Sequence, residues 1–141
     1  MREATAADAA AIADLLTQLG YPTTEAQAVR RLARILPARD WVTLVAEEAG
    51  RILGFGGLQL SVSYEHDTPG ARIVALVVDE AERRKGIGEA IVRALEQRAL
   101  AMQARRIAVN SATHRADAHA FYEKLGYDRT GLRFVRSPER P

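Results

Sequence analysis

The residues best suited to chemistry stand together in the middle of the chain. Leu76-Val77-Val78-Asp79-Glu80-Ala81-Glu82-Arg83-Arg84-Lys85-Gly86-Ile87-Gly88-Glu89-Ala90 reads as an apolar strand, a basic glycine-bearing turn and the start of an amphipathic helix. The first N–H groups of a helix have no intrahelical partner, and the helix dipole puts partial positive charge at that end. Gly86 and Gly88 let a bulky anion approach the backbone, while Arg83, Arg84 and Lys85 add full charges. The chemistry such a turn suits is pyrophosphate binding. It is not a P-loop, because GxxxxGK[ST] is absent. It is not a dinucleotide fingerprint either, because Ile91 stands where GxGxxG needs its third glycine. By itself G-x-G before a helix is also ordinary strand-to-helix punctuation.

Other chemistries are narrowed by composition. The 141 residues contain no cysteine, which excludes disulfides, thiolate zinc sites and a cysteine nucleophile. The three histidines, His66, His114 and His119, do not have the spacing of a zinc motif, so no metal is expected. Net charge is only +2, too small an excess to suggest nucleic-acid binding. No apolar run approaches the ~18 residues of a membrane span, and the first residues do not read as a secretory signal. The sequence therefore leads to the expectation of a cytoplasmic protein with no membrane partner. Its length fits one domain over residues 1–141, and 48% hydrophobic residues can supply a core.

The elements that must position the basic turn follow from periodicity. Thr5 and Asp8 read as a capping box ahead of a helix with Ile12, Leu15, Leu16 and Leu19 on one face, stopped by Gly20. Thr24 and Gln27 open a second helix whose face is Val29, Leu32, Ile35 and Leu36, ended by Pro37. Residues 41–46 and 52–62 read as a hairpin, the second run carrying Gly54, Gly56 and Gly57. Residues 72–78 are nearly all apolar from Ile73 and predict a strand buried on both faces. Helical period returns after Gly86 with Ile87, Ile91, Leu95 and Met102, followed by a short strand at 107–109. Ala118, Phe121, Tyr122 and Leu125 predict a further helix ending at Gly126, and Leu132 with Phe134 a final strand. This order predicts an α/β (α+β) fold, a mixed sheet of about six strands with helices on both faces.

Two stretches carry a family resemblance. Arg83-Arg84-Lys85-Gly86-Ile87-Gly88 resembles the [Q/R]-x-x-G-x-[G/A] signature of the GNAT N-acetyltransferases. Ala118-His119-Ala120-Phe121-Tyr122-Glu123-Lys124-Leu125-Gly126-Tyr127 resembles that family's A-x-x-[FL]-Y-E-K-L-G-[FY] helix. The motifs occur in the family's order with a strand between them, and the opening helices and hairpin also fit.

The resemblance implies acetyl-CoA as co-substrate and an amine as acceptor, either a small molecule or a protein. Leu76, Val77 and Val78 would pair through their backbone with the pantetheine arm. Arg83 holds the first signature position of this cofactor-binding turn, and Arg84, Lys85, Gly86, Ile87, Gly88 and Glu89 would wrap the pyrophosphate, mainly with N–H groups. Tyr122 would set a phenol near the departing sulfur, where it can hydrogen-bond or protonate the thiolate. The family often dimerises, which makes a homodimer an expectation, though the residues leave oligomeric state open. This chain departs from the family pattern twice. Arg115 stands where many relatives carry an asparagine that contacts pantetheine. Asn110 stands where some protein-acetylating relatives carry a glutamate base.

A lysine-like amine is free base in only about one molecule in 2500 at pH 7, so the site must take a proton from it. Candidates for that role or for holding a cationic acceptor are Glu65, His66 and Asp67 before the third long strand, His114, and Asp117. Each is also readable as a surface residue. Without cysteine, direct transfer in a ternary complex is the simplest route. A rival reading from another class is an acetyl-CoA-binding sensor or regulatory domain that keeps the fold without turnover.

Overall fold

A computed structural model of the chain describes residues 1–110, 116–131 and 134–139. It divides into two units, Met1–Val109 and Asn110–Pro141. The first unit holds β1 (Arg2–Glu3), α1 (Ala9–Leu19), α2 (Glu25–Ile35), β2 (Trp41–Glu48), β3 (Arg51–Ser61), β4 (Gly70–Val78), α3 (Ile87–Ala101) and β5 (Arg106–Val109); the second holds α4 (Ala116–Lys124). Among the described residues no helix is long and apolar enough to cross a membrane.

Local chemistry accounts for the helix ends. Thr24 and Gln27 form the expected capping box: the Gln27 N–H donates to Thr24 Oγ1 at 3.1 Å and the Thr24 N–H donates to Gln27 Oε1 at 3.0 Å. At the other box the Thr5 N–H donates to Asp8 Oδ2 at 2.8 Å, but residues 6–8 form a 3₁₀ turn and α1 proper starts at Ala9. Gly20 ends α1 with φ of 109°, the left-handed cap that glycine adopts without a Cβ penalty. On α2 the buried residues are Ala28 and Leu32, whereas Val29, assigned to the core face above, is 47% exposed. The difference is about one residue of helical phase, with the small Ala28 taking the inward position.

The strands form a five-stranded sheet in the order β1-β2-β3-β4-β5. The first four pair antiparallel and β4 pairs with β5 in parallel, which makes the sheet mixed. The count differs from the expected six at both ends of the chain. β1 has only two residues, too few for a hydrophobic alternation to show. Of the final strand, Leu132 lies outside the described residues, and Phe134 is 88% exposed with no strand partner among them.

Side-chain alternation along β3 sends successive residues to opposite faces. Phe55 joins Val45 and Val77 in a core with Ile12 and Leu15 of α1 and Ala28 and Leu32 of α2. Gly54 and Gly56 face the other way, onto α3. A Cβ on Gly56 would lie 2.6 Å from Ile91 Cγ2, and one on Gly54 would lie 2.7 Å from the Val77 carbonyl oxygen. The helix therefore lies closer to the sheet than any side chain at these positions would allow. Helices cover both faces, as the alternating pattern predicted.

The N-terminus is fixed by charge. The Arg2 guanidinium donates to both oxygens of the buried Asp8 at 2.9 Å and reaches Glu47 of β2 at 2.6 Å. The Arg2 bond, and after it the Thr5 N–H, hold the Asp8 carboxyl below its ordinary value against the opposing effect of burial.

Two predictions follow from this packing. Gly54→Ala should destabilise the protein by about 1–3 kcal/mol in thermal or urea unfolding, because the obstacle is the Val77 backbone; a neutral outcome would mean that the Val77 carbonyl does not stand this close. Asp8, with its lowered pKa, stabilises fully above the unfolded-state value of about 3.9, and that contribution is lost as pH falls through the folded value. Asp8→Asn should then cost about 2 kcal/mol at pH 7 and much less near pH 2. An equal loss at both pH values would refute the ion pair's role.

Candidate functional site

The site begins with an irregularity in β4. On β3, Gly57 and Leu58 are adjacent, but their partners on β4 are Ala75 and Ile73, so Val74 is an extra residue. This bulge reverses which backbone groups point to which neighbour. Pairing with β5 covers Gly70 to Ile73 and ends there, at Val109. Beyond it, Val74 to Val78 have no strand partner on that side among the described residues, an open edge of about 15 Å.

The phase of the ladder decides what the edge offers. The Asp79 N–H donates to the Leu53 carbonyl at 2.8 Å. By the alternation of antiparallel pairs, Val77 and Ala75 then direct their backbone groups toward β3, and Leu76 and Val78 direct theirs toward the open edge. The expectation of a strand buried on both faces is corrected here: Val74 is 41% exposed, and Leu76 and Val78 are only half-buried. The apolar run reflects an edge left open rather than a fully enclosed strand. Of the three residues assigned to backbone pairing, Leu76 and Val78 have groups available for it. Val77 has its side chain in the core and its backbone committed to β3.

The strand leads directly into the basic turn. Asp79 caps a short 3₁₀ turn over Glu80–Glu82, its carboxylate accepting from the Ala81 N–H at 2.9 Å. Arg83 is extended, Arg84 has φ of 67° and Gly86 has φ of 82°. A left-handed Gly86 followed by the helical Ile87 directs successive N–H groups into one concavity. The first intrahelical bond of α3 runs from the Ala90 N–H to the Gly86 carbonyl at 3.1 Å, so the N–H groups of Ile87, Gly88 and Glu89 precede it. Space beside Gly86 is open, since a Cβ there would meet nothing within 4 Å.

The three cations of the turn are not equivalent. Arg83 and Arg84 are exposed and have no ion-pair partner among the described residues. Lys85 instead pairs with Glu82 at 2.7 Å, and Glu82 pairs with Arg51 of β3 at 2.9 Å. Lys85, read above as a free charge, is thus partly neutralised. Lys85 and then Arg51 hold the Glu82 carboxyl below the usual range. Sequence reasoning missed Arg51 and Gln18 altogether. Gln18 of α1 accepts from the Glu80 N–H at 3.0 Å, a contact between residues 62 apart that no local pattern signals. The Glu82–Lys85 pair was legible as an opposite-charge pair at i, i+3.

The remaining assigned residues fall elsewhere. Glu65, His66 and Asp67 are exposed in the loop before β4, separated from the turn by the length of that strand, about 25 Å. His114 and Arg115 lie outside the described residues. Asn110 is exposed just after β5, and Asp117 is exposed in the first turn of α4. In the second unit, Tyr122 is half-buried, its ring edge-to-face with Phe121 at 5.2 Å and with Tyr127 at 6.0 Å. Gly126, with φ of 99°, follows α4 as its motif position predicted. No group of three or more His, Asp or Glu side chains able to hold a metal occurs among the described residues.

An open strand edge that runs into a left-handed turn and a helix N-terminus is the arrangement that the sequence motif implied. The model of the acetyltransferase (GNAT) family matches residues 10–127. The chain belongs to the GNAT acetyltransferase family. Solved structures share the fold. A transcriptional regulator from Bacillus halodurans is 23% identical, with a TM-score of 0.86 over 96% of this chain and 97% of that one. Glucosamine-6-phosphate N-acetyltransferase from Arabidopsis thaliana is 23% identical, with a TM-score of 0.82 over 98% and 97%. An aminoglycoside N-acetyltransferase in complex with CoA is 17% identical, with a TM-score of 0.87 over 97% and 93%. No curated protein matches the sequence.

Proposed function

We propose that this GNAT chain moves an acetyl group from acetyl-CoA to an amine, with a small-molecule amine as acceptor, by direct transfer while both are bound. The observation that carries the reading is the continuity of two features along β4. The unpaired edge at Leu76 and Val78 suits an amide-bearing arm, and the N–H groups after Gly86 suit a pyrophosphate at the end of that arm. Arg83 and Arg84 add charge, and Gly86 leaves the backbone open to approach. Family membership supports acetyl-CoA as the molecule that joins these features.

When bound, acetyl-CoA supplies the acetyl group as an activated thioester. The chain's own contribution is to orient it through backbone groups of β4 and the turn, and to manage protons. The acceptor nitrogen must lose a proton before it attacks. The Tyr122 hydroxyl is the candidate to donate one to the departing sulfur. With no cysteine in the chain, no acyl-enzyme on sulfur is available, and holding both reactants together supplies much of the acceleration. The small-molecule acceptor draws support from two structural relatives, a glucosamine-6-phosphate N-acetyltransferase and an aminoglycoside N-acetyltransferase. Asn110, in place of a glutamate base, fits the same reading.

Acetyl-CoA should raise the melting temperature, as a ligand of the native state alone does. Gly86→Val should abolish that shift, through both a strained φ and a blocked approach, and Gly88→Val should do so by blocking approach; unchanged CoA affinity in both would sink the pyrophosphate assignment. Tyr122→Phe keeps the ring and its packing and removes only the hydroxyl. It should lower kcat about 10²-fold with little change in acetyl-CoA affinity, and a full kcat would rule out the acid role. An acceptor panel read by release of free thiol separates an enzyme from a sensor, which would bind CoA and release none with any amine.

A further inference from the structure

Arg84 stands in the left-handed region with φ of 67°, although it has a Cβ and its exposed side chain has no ion-pair partner among the described residues. An L-residue adopts this conformation at a cost, so the surroundings must hold it there. The segment before it is fixed up to Glu82. The Asp79 N–H is bonded to Leu53, the Glu80 N–H to Gln18, the Ala81 N–H to the Asp79 carboxylate, and the Glu82 N–H to the Asp79 carbonyl at 2.9 Å. The segment after it is fixed by α3, whose N-cap is Gly86. Between these two anchored ends, the link recorded across residues 83–84 is the bond from Lys85 Nζ to Glu82 Oε2 at 2.7 Å. Glu82 is itself held from β3 by Arg51 at 2.9 Å, and its side chain is only 13% exposed, low for a glutamate on a turn.

We propose that Glu82 is a positioning residue for the cofactor turn: gripping Lys85 across the kink while Arg51 anchors it from β3, it holds Arg84 left-handed and so preorganises the N–H groups that receive the pyrophosphate. This rests on the reading of that turn as the CoA site. Charge alone makes the opposite forecast. Glu82 is an anion beside the place assigned to a polyanion, and deleting its charge should strengthen binding by simple electrostatics. Preorganisation says that deletion weakens binding, because Arg84 relaxes toward the right-handed region and the competent turn becomes a minor state. Apparent affinity falls with that population.

The test is CoA affinity by calorimetry, together with acetyl-CoA KM, kcat and melting temperature, for the wild type and a small set of variants. Glu82→Gln should raise Kd and KM about tenfold, the scale set by the cost of a left-handed L-residue. kcat and melting temperature should stay near wild type, since the partners Arg51 and Lys85 are 55% and 61% exposed and pairs to such solvated cations contribute little to global stability. Glu80→Gln removes the same charge from the same turn without touching the clamp, and should not weaken binding. Glu82→Gln combined with Lys85→Gln leaves net charge unchanged and should still weaken it. Arg84→Gly and Arg84→Ala both lose the guanidinium, but only glycine tolerates the kink. Glycine should therefore bind CoA more tightly than alanine, by a wider margin in the Glu82→Gln background. A Glu82→Gln protein that binds as tightly as wild type, or more tightly, overturns the clamp while leaving the CoA site standing. A wild-type protein that fails to bind CoA overturns both.

Discussion

The bulge at Val74 is the constraint on which the rest of the first unit's site depends. Without the extra residue, Ala75 and Val77 rather than Leu76 and Val78 would direct their backbone groups away from β3. The extra residue reverses the phase of the strand, so that the backbone groups of Leu76 and Val78 point away from β3, and beyond Ile73 no strand pairs on that side among the described residues. An unpaired strand edge is ordinarily a liability, because it templates association with other chains. Here it is short and runs directly into the turn before α3. It therefore suits a partner that has hydrogen-bonding groups along an arm and negative charge at the end of it.

The glycines of β3 serve the same geometry from the other side. Gly54 and Gly56 let α3 lie against the sheet closer than any side chain would permit, with Ile91 and Leu95 filling the space. Since Gly54 is opposite Val78 in the ladder, the helix is drawn in level with the end of β4. Ile91 of α3 therefore packs at that level of the sheet. Bulge, glycines and left-handed turn are three backbone devices that converge on one end of one strand.

Those devices were unequally legible in the sequence. The turn was readable because it uses residues with a specific mechanism, glycine and clustered cations before a helical period, and Tyr122 because it lies in a long motif. The hairpin, the capping box at Thr24 and both helix-ending glycines were readable for the same reason. The bulge was not. Residues 72–78 form an apolar run whose alternation is invisible, so the pattern suggested enclosure on both faces where the structure leaves Val74, Leu76 and Val78 partly open. Neither was the support of the turn by Gln18 and Arg51, which are remote in sequence and carry no positional signal. Val29 was misassigned because hydrophobicity was read without volume, whereas the close approach of α2 selects the smaller Ala28.

Recognition through backbone, as proposed for this turn, would explain how so little sequence identity accompanies so much shared structure. N–H groups at a helix start and along a strand edge are present whatever the side chains, provided the chain follows the same path. The only demands on sequence are glycine where φ is positive or approach is close, and apolar residues where the core requires them. The side chains around such a frame are then free to diverge, and in this chain Lys85 is turned back onto Glu82. The proposed division of labour follows from that freedom. A cofactor common to the family can be held by the invariant frame, while the acceptor must be distinguished by side chains, which are the part of the molecule at liberty to change.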